Sequence, residues 1–135
     1  MRNLQSVYPT KIETLTTLYE LLKERESHQM IRHTHLPSFS AHCDFVKSNP
    51  YEHWFIIQVH NVAVGTINLS KNRQVGVFVF KRHMAIGYGS WALHELHRIS
   101  PGPMYAEINP QNLASIHFFS QFDAVHVQNT YKICL

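Results

Sequence analysis

The sequence predicts one mixed α/β (α+β) domain over residues 1–135, a central sheet that combines an antiparallel meander with a parallel pair and is flanked by helices. Three observations lead there. Apolar, β-branched runs at 54–59, 62–69 and 75–80 follow one another through the polar turns His60-Asn61 and Ser70-Lys71-Asn72-Arg73, the pattern of an antiparallel meander. Helical periodicity (Trp91, Leu93, Leu96, Ile99) then separates 75–80 from a further run at 104–108. A strand–helix–strand crossover makes its strands parallel neighbours in a right-handed unit. Finally, 135 residues with 44% apolar content can build one core and are normally one domain.

Taken in order, residues 1–9 are short and polar, with Val7-Tyr8 as a brief first strand. Thr10 is the expected N-cap of the first helix, because Glu13 follows at capping-box spacing. Ile12, Leu15, Leu18, Tyr19 and Leu22 form one apolar stripe, and Lys23, Glu24, Arg25 and Glu26 read as its solvated end. A connector without clear period over 27–36 leads to a second helix after Pro37-Ser38. Phe39, His42, Cys43, Phe45 and Val46 form its inner side, and Asn49-Pro50 ends it. Beyond the meander, the helix after Gly89 runs to about Arg98, where Ser100-Pro101-Gly102-Pro103 stops it. Asn109-Pro110-Gln111-Asn112 turns into a last helix with Ile116, Phe118 and Phe119, and 125–131 reads as a closing strand.

Composition narrows the function. A net charge of +3 suits an anionic ligand but lacks the basic stripe of a nucleic-acid binder, so no nucleic-acid partner is expected. Cys43 and Cys134 lie far apart and read as free thiols. The eleven histidines include the pairs His33/His35 and His94/His97, but neither pair has the third ligand of a zinc motif, so no metal is expected. No apolar run approaches a membrane span, and Met1-Arg2-Asn3-Leu4 lacks a signal-peptide core. The expectation is a soluble cytoplasmic protein with no membrane partner.

The stretch 74–91 carries the functional signal. An apolar strand passes through the basic turn Lys81-Arg82-His83 to Gly87 and Gly89, directly before a helix. Glycines let an anion approach the backbone, and the first amides of a helix lack intrahelical partners, so this arrangement suits phosphate. The Walker loop is absent, since Gly89 is followed by Ser90-Trp91 without lysine. The dinucleotide fingerprint needs a third glycine where Ala92 stands, and a parallel unit in place of the meander. Glycines that merely permit a tight turn are the alternative at this point.

Downstream, Asn112-Leu113-Ala114-Ser115 precedes the aromatic pair Phe118-Phe119. Together the two stretches resemble the GNAT superfamily of acyl-CoA-dependent N-acyltransferases, over about residues 40–131 and most strongly over 64–119. Gly87 and Gly89 match the family's pyrophosphate loop, and Asn112 and Ser115 match its later signature, in order and in separation. The resemblance implies acetyl-CoA as cosubstrate, without a metal. Phe78, Val79 and Phe80 would offer backbone groups to the pantetheine arm, with an amide near Val79 polarising the acyl carbonyl. Amides of Ile86, Gly87, Tyr88, Gly89 and Ser90 would hold the pyrophosphate, and Asn112, Ser115 and Phe118 would lie by the distal pantetheine or the phosphates.

The sequence also departs from the family. Met84 stands where an arginine or glutamine is usual, leaving Lys81, Arg82 or His83 as substitutes. Phe119 stands where many members have the tyrosine that reprotonates the thiolate, leaving Tyr88, Tyr131 or water. Attack by a neutral amine needs a proton acceptor. Glu107 is the carboxylate on a central strand, and His35 and His42 are further candidates. The implied reaction is direct acetyl transfer to the primary amine of a small molecule. The helix after Pro37-Ser38, with His42 ahead of Trp54-Phe55-Ile56-Ile57, is similar to relatives that acetylate nucleotide-linked amino-sugars. A modified nucleobase or peptide amine as acceptor, and a GNAT-shaped binding or assembly module without turnover, are the competing readings. A homodimer is compatible with each.

Overall fold

A computed structural model describes residues 1–25 and 35–135. The elements are β1 (Arg2–Ser6), α1 (Ile12–Lys23), α2 (Phe39–Lys47), β2 (His53–Val59), β3 (Val62–Leu69), β4 (Val75–Val79), a 3-10 turn (Lys81–His83), α3 (Tyr88–Ile99) and α4 (Leu113–Ser120). The strands form one four-stranded sheet in the order β1-β2-β3-β4, and every neighbouring pair is antiparallel. The mixed α+β class and the meander stand as the sequence predicts. Glu26, His33 and most of the connector lie outside the described residues.

β2 and β3 read as nearly continuous apolar runs because both faces of the sheet are covered. On one face Ile57, Val64, Ile67, Leu69 and Val75 pack with Ala92, Leu93 and Leu96 of α3. On the other, Trp54 and Ile56 pack with Leu15 and Leu18 of α1 and Val46 of α2. Each such side chain, fully buried, contributes about 1.5–3 kcal/mol. Of the polar groups enclosed with them, Trp54 and Thr66 are partnered. Trp54 Nε1 donates to Thr66 Oγ1 at 2.9 Å, and the Thr66 hydroxyl donates to the Phe55 carbonyl at 2.8 Å. Tyr8 Oη donates to the Val46 carbonyl at 2.6 Å and ties the chain after β1 to α2.

Several local expectations change. Val7-Tyr8 is not the first strand; β1 is Arg2–Ser6, and Val7 is buried just after it. Lys11, in extended conformation, is the N-cap of α1 and makes no side-chain capping bond, so Thr10 does not cap. Burial of Leu15, Leu18 and Leu21 then holds the helix, as tertiary packing generally does. Ser38 caps α2 by accepting from the Ala41 amide at 3.1 Å, and Phe39 and Phe45 on that helix are exposed. The parallel pair contracts to one bridge, Gln74 with Tyr105, in which Val75 N donates to Tyr105 O and Tyr105 N to Arg73 O, each at 2.8 Å. Pro103 and Pro110 bracket this short segment and have no amide to lengthen a ladder. Residues 125–131 form no strand.

Gly65 leaves no room for a side chain between β3 and β4: a Cβ there would stand 2.4 Å from the Phe78 carbonyl oxygen. Gly65→Ala is expected to destabilise the protein by about 3 kcal/mol in urea denaturation, at the upper end of overpacking costs. His42 is buried between α1 and α2 beside the Tyr19 ring at 5.3 Å, and its Nε2 has no hydrogen-bond partner among the described residues. Burial pushes its pKa below the ordinary 6.5, and a backbone hydrogen bond at Leu15 offsets part of this. Below 6.5 the unfolded chain therefore binds the proton more readily than the folded one. Stability is expected to be full above that pH and to fall as pH drops toward the lowered folded value. The urea midpoint of His42→Leu should decline less between pH 7 and 5 than that of the wild type.

Candidate active site

Past the bridge at Gln74 and Tyr105, β4 and the segment 104–108 diverge and leave a narrow cleft of about 40 Å³. Val75, Gly76, Val77 and Phe78 form one wall and Glu107 and Ile108 the other, with Asn112, Ser115 and Phe119 of the last helical region at its end. Antiparallel pairing decides which backbone groups of β4 face it. Phe80 N donates to Val64 O and Val75 N to Tyr105 O. By the alternation of an antiparallel ladder, Phe78 and Phe80 therefore turn their amides toward β3, and Val77, which lines the cleft, and Val79, just beyond it, turn theirs to the open edge. The edge amides are thus those of the two valines.

β4 leads through Lys81-Arg82-His83 to Gly87, the N-cap of α3, which is in the left-handed region at φ 98°. Glycine takes that conformation without the steric cost of a side chain, and nothing lies within 4 Å of where its Cβ would be. Trp91 N donates to Gly87 O at 3.0 Å as the first bond of α3, so the amides of Tyr88, Gly89 and Ser90 precede the ladder. Gly89 has a different task. A Cβ there would meet Phe118 Cε1 at 3.3 Å and Val77 Cγ1 at 3.4 Å, so its bareness lets α4 pack on the start of α3.

The later signature is also partly structural. Asn112 is buried and caps α4, its Oδ1 accepting from the Ser115 amide at 3.1 Å. Phe118 packs edge-on against Phe119 and Phe122, with ring centroids 4.9 and 5.3 Å away. Glu107 accepts a hydrogen bond from Gln74 Nε2 across the bridge. His35 is exposed and does not line the cleft. Tyr88 does not line it either; its ring lies 5.2 Å under the Arg2 guanidinium and 6.3 Å from the His83 ring. Ile86 and Met84 are exposed.

Two cations escaped the sequence reading. Arg25, expected on a solvated helix end, is half-buried; its guanidinium lies 4.3 Å over the Phe78 ring and lines the cleft. Burial lowers its pKa from the ordinary arginine value, and Tyr51 nearby works in the other direction. Arg2 comes from the far edge of the sheet, and only the tertiary structure brings it to the glycine loop. A larger cavity of about 340 Å³ adjoins the same end of β4, lined by Thr16, Glu20, Glu24, Phe80 and Arg82 among others. Among the described residues, no group of three or more His, Cys, Asp or Glu is placed to hold a metal ion, and no helix is long and apolar enough to cross a membrane.

The fold is shared with solved structures. The chain is 17% identical to an acetyltransferase from Thermus thermophilus, covering 96% of this chain and 90% of that one, with a TM-score of 0.74. It is 16% identical to yncA from Salmonella typhimurium, solved with its cofactor acetyl-CoA, covering 90% and 78%, with a TM-score of 0.69. It is also 16% identical to AAC(6')-Iy, solved with the bisubstrate analog CoA-S-monomethyl-acetylneamine, covering 99% of each chain, with a TM-score of 0.67. No curated protein matches the sequence significantly. The family model for the acetyltransferase (GNAT) family matches residues 15–123. With most of its length matched and the fold in common, the chain belongs to the GNAT acetyltransferase family.

Proposed function

We propose that this protein transfers an acetyl group from acetyl-CoA to the primary amine of a small molecule by direct attack. The observation that carries the reading is the splayed edge of β4. The amides of Val77 and Val79 point away from β3 to the open edge, and the same strand leads to an open helix N-terminus behind a left-handed glycine. An extended thioester arm can add to such an edge as a strand would, with its pyrophosphate against the amides of Tyr88, Gly89 and Ser90. An outward valine amide would stabilise the oxyanion that forms when the amine nitrogen attacks the carbonyl carbon.

Glu107 is the base in this scheme. It lines the cleft and is oriented by Gln74, and it takes the proton that the attacking nitrogen loses. The C–S bond then breaks, and the thiolate takes a proton from water, since Phe119 at the end of the cleft has none to give. The acceptor reaches the cleft from the side of α1, where Glu20 and Glu24 in the larger cavity favour a cationic amine. A nucleotide-linked amino-sugar is the leading acceptor, in a soluble, cytoplasmic enzyme. Phe119 also supports a second reading, a GNAT-fold module that binds acyl-CoA without turnover.

Acetyl-CoA at 100 times its Kd is expected to stabilise the protein by about 2.7 kcal/mol, read as a rise in Tm on the order of 10 °C for a chain of this size. Release of free thiol should accompany it when an amino-sugar amine is added. Stabilisation without thiol release over a broad amine panel would select the second reading, and no stabilisation would refute both. Glu107→Gln keeps an acceptor for Gln74 but cannot take a proton. It is expected to lower kcat about a hundredfold or more while leaving acetyl-CoA affinity unchanged in calorimetry.

A further inference from the structure

Near its end β3 carries two buried polar side chains, Thr66 and Asn68. They pair across the ladder with Ile56 and Trp54, so both lie on the face toward α1 and α2. Thr66 is bonded to Trp54 and to the Phe55 carbonyl. Asn68 is 7% exposed, and its side chain makes no hydrogen bond to any described residue. A buried carboxamide without a partner is costly, and native proteins keep few of them.

The register decides where that carboxamide lies. Asn68 pairs with Gly76 of β4, and a Cβ on Gly76 would stand 2.9 Å from Asn68 Oδ1, 3.1 Å from Nδ2 and 3.3 Å from Cε2 of Phe78. The carboxamide thus fills the space that a side chain on Gly76 would need, beside the β4 wall of the cleft and close to the edge of the Phe78 ring. Over the face of that ring, 4.3 Å from its centroid, lies the Arg25 guanidinium. The preceding residue fixes it there. Lys81 N donates to Glu24 Oε1 at 2.8 Å and pins the end of α1 to the chain just past β4. A guanidinium offers five N–H donors in a planar fork, and a carboxamide offers two more. Both sets flank one ring of the β4 wall, and Glu107 stands on the other wall.

We propose that Arg25 and Asn68 bind an oxyanion group of the acceptor, so that the substrate is an amine that also bears a carboxylate or a phosphate. This rests on the acetyl-transfer reading and narrows its substrate class. A guanidinium pairs with either group through two parallel bonds, and the Phe78 face keeps the fork flat. Asn68 Nδ2 adds a donor at the edge of the same ring. The anion is held by one wall while the amine meets Glu107 on the other, which orients the nitrogen toward the acyl carbon. A nucleotide-linked amino-sugar would supply a phosphate, and an amino acid a carboxylate.

The test is side-chain NMR of the full chain saturated with CoA, which keeps phosphate probes out of the coenzyme site. CoA binding is measured first by calorimetry; its absence refutes the acetyl-transfer reading itself, before any acceptor is added. Phosphoethanolamine is then compared with ethanolamine, and glycine with glycinamide. At least one anionic probe is expected to shift the Arg25 Nε–H and Asn68 Nδ2–H signals, while its counterpart without the anion does not and the exposed Arg98 stays still. Phosphoethanolamine acting alone identifies a phosphate, glycine alone a carboxylate, and both together a site for either oxyanion. Arg25→Gln should weaken the active probe about tenfold or more, and Arg25→Lys less, with CoA affinity retained. Should Arg25→Gln fail to fold, Asn68→Asp, which sets a carboxylate against the oxyanion, carries the same expectation. The proposal is overturned if neither anionic probe moves the two signals at tens of millimolar, or if the counterparts without the anion move them equally. It is also overturned if Arg25→Gln loses CoA and leaves the probe's affinity unchanged.

Discussion

The guanidinium of Arg73 is the contact on which the geometry of the cleft depends. It donates from Nε to the Pro103 carbonyl at 2.6 Å, from Nη1 to Ser100 Oγ at 3.0 Å and from Nη2 to the Ser100 carbonyl at 2.8 Å. One side chain in the turn between β3 and β4 thus holds the end of α3 and the start of the returning chain. Gly102, at φ 129°, lies against the guanidinium, where a Cβ would meet Nη2 at 3.3 Å. Charge-assisted bonds to backbone carbonyls of this kind are among the stronger ones in a protein. They bring Tyr105 beside Gln74 and no further, and the divergence beyond that point is the cleft. Arg73 is therefore committed to structure.

Much of the fold was legible because its signals are periodic. β3 is bounded at Val62 and Leu69 by the polar turns on either side, and α3 by Gly87 and Ser100. What the sequence misjudged was set by tertiary context. Arg25 sits in a charge run that reads as solvated, yet the end of α1 swings over Phe78 and buries it. Of the residues expected on the inner face of α2, His42 and Val46 are buried and Cys43 is half-buried, but Phe39 and Phe45 are exposed. The run at 125–131 alternates as a strand should, but pairing is a property of two segments and cannot be read from one.

The site was legible to a different depth. The spacing of Gly87, Gly89, Asn112 and Ser115 carried the family resemblance, but not the division of labour among these residues. Gly87 supplies an unusual backbone conformation at an open helix end; Gly89 supplies room for Phe118; Asn112 spends its carboxamide on the Ser115 amide. Two of the three thus serve the docking of α4, which is what places Ser115 and Phe119 at the end of the cleft. A motif can therefore be specific for a ligand while most of its side chains touch protein. The resemblance implied an amide near Val79, and the β3–β4 register adds that the outward amides are those of Val77 and Val79 while those of Phe78 and Phe80 point to β3.

The two walls of the cleft differ in how their backbones are paired, and that difference bears on how any ligand would be held. β4 is paired with β3 along its length, and its first residue, Val75, is part of the main core. The facing segment is held by one bridge, the bonds of Arg73 behind it, the contact between Gln74 and Glu107 and the packing of Met104 and Ala106 on the main core, among other contacts. Local opening costs least where backbone bonds are few, and the wall that carries Glu107 has fewer of them than β4. A ligand lying along β4 would meet a strand held by a full ladder, whereas contacts with Glu107 would draw on a segment held by fewer backbone bonds. Binding along β4 and the positioning of Glu107 are thus separable. The register of β3 and β4 governs the first, and the anchoring of residues 104–108 governs the second.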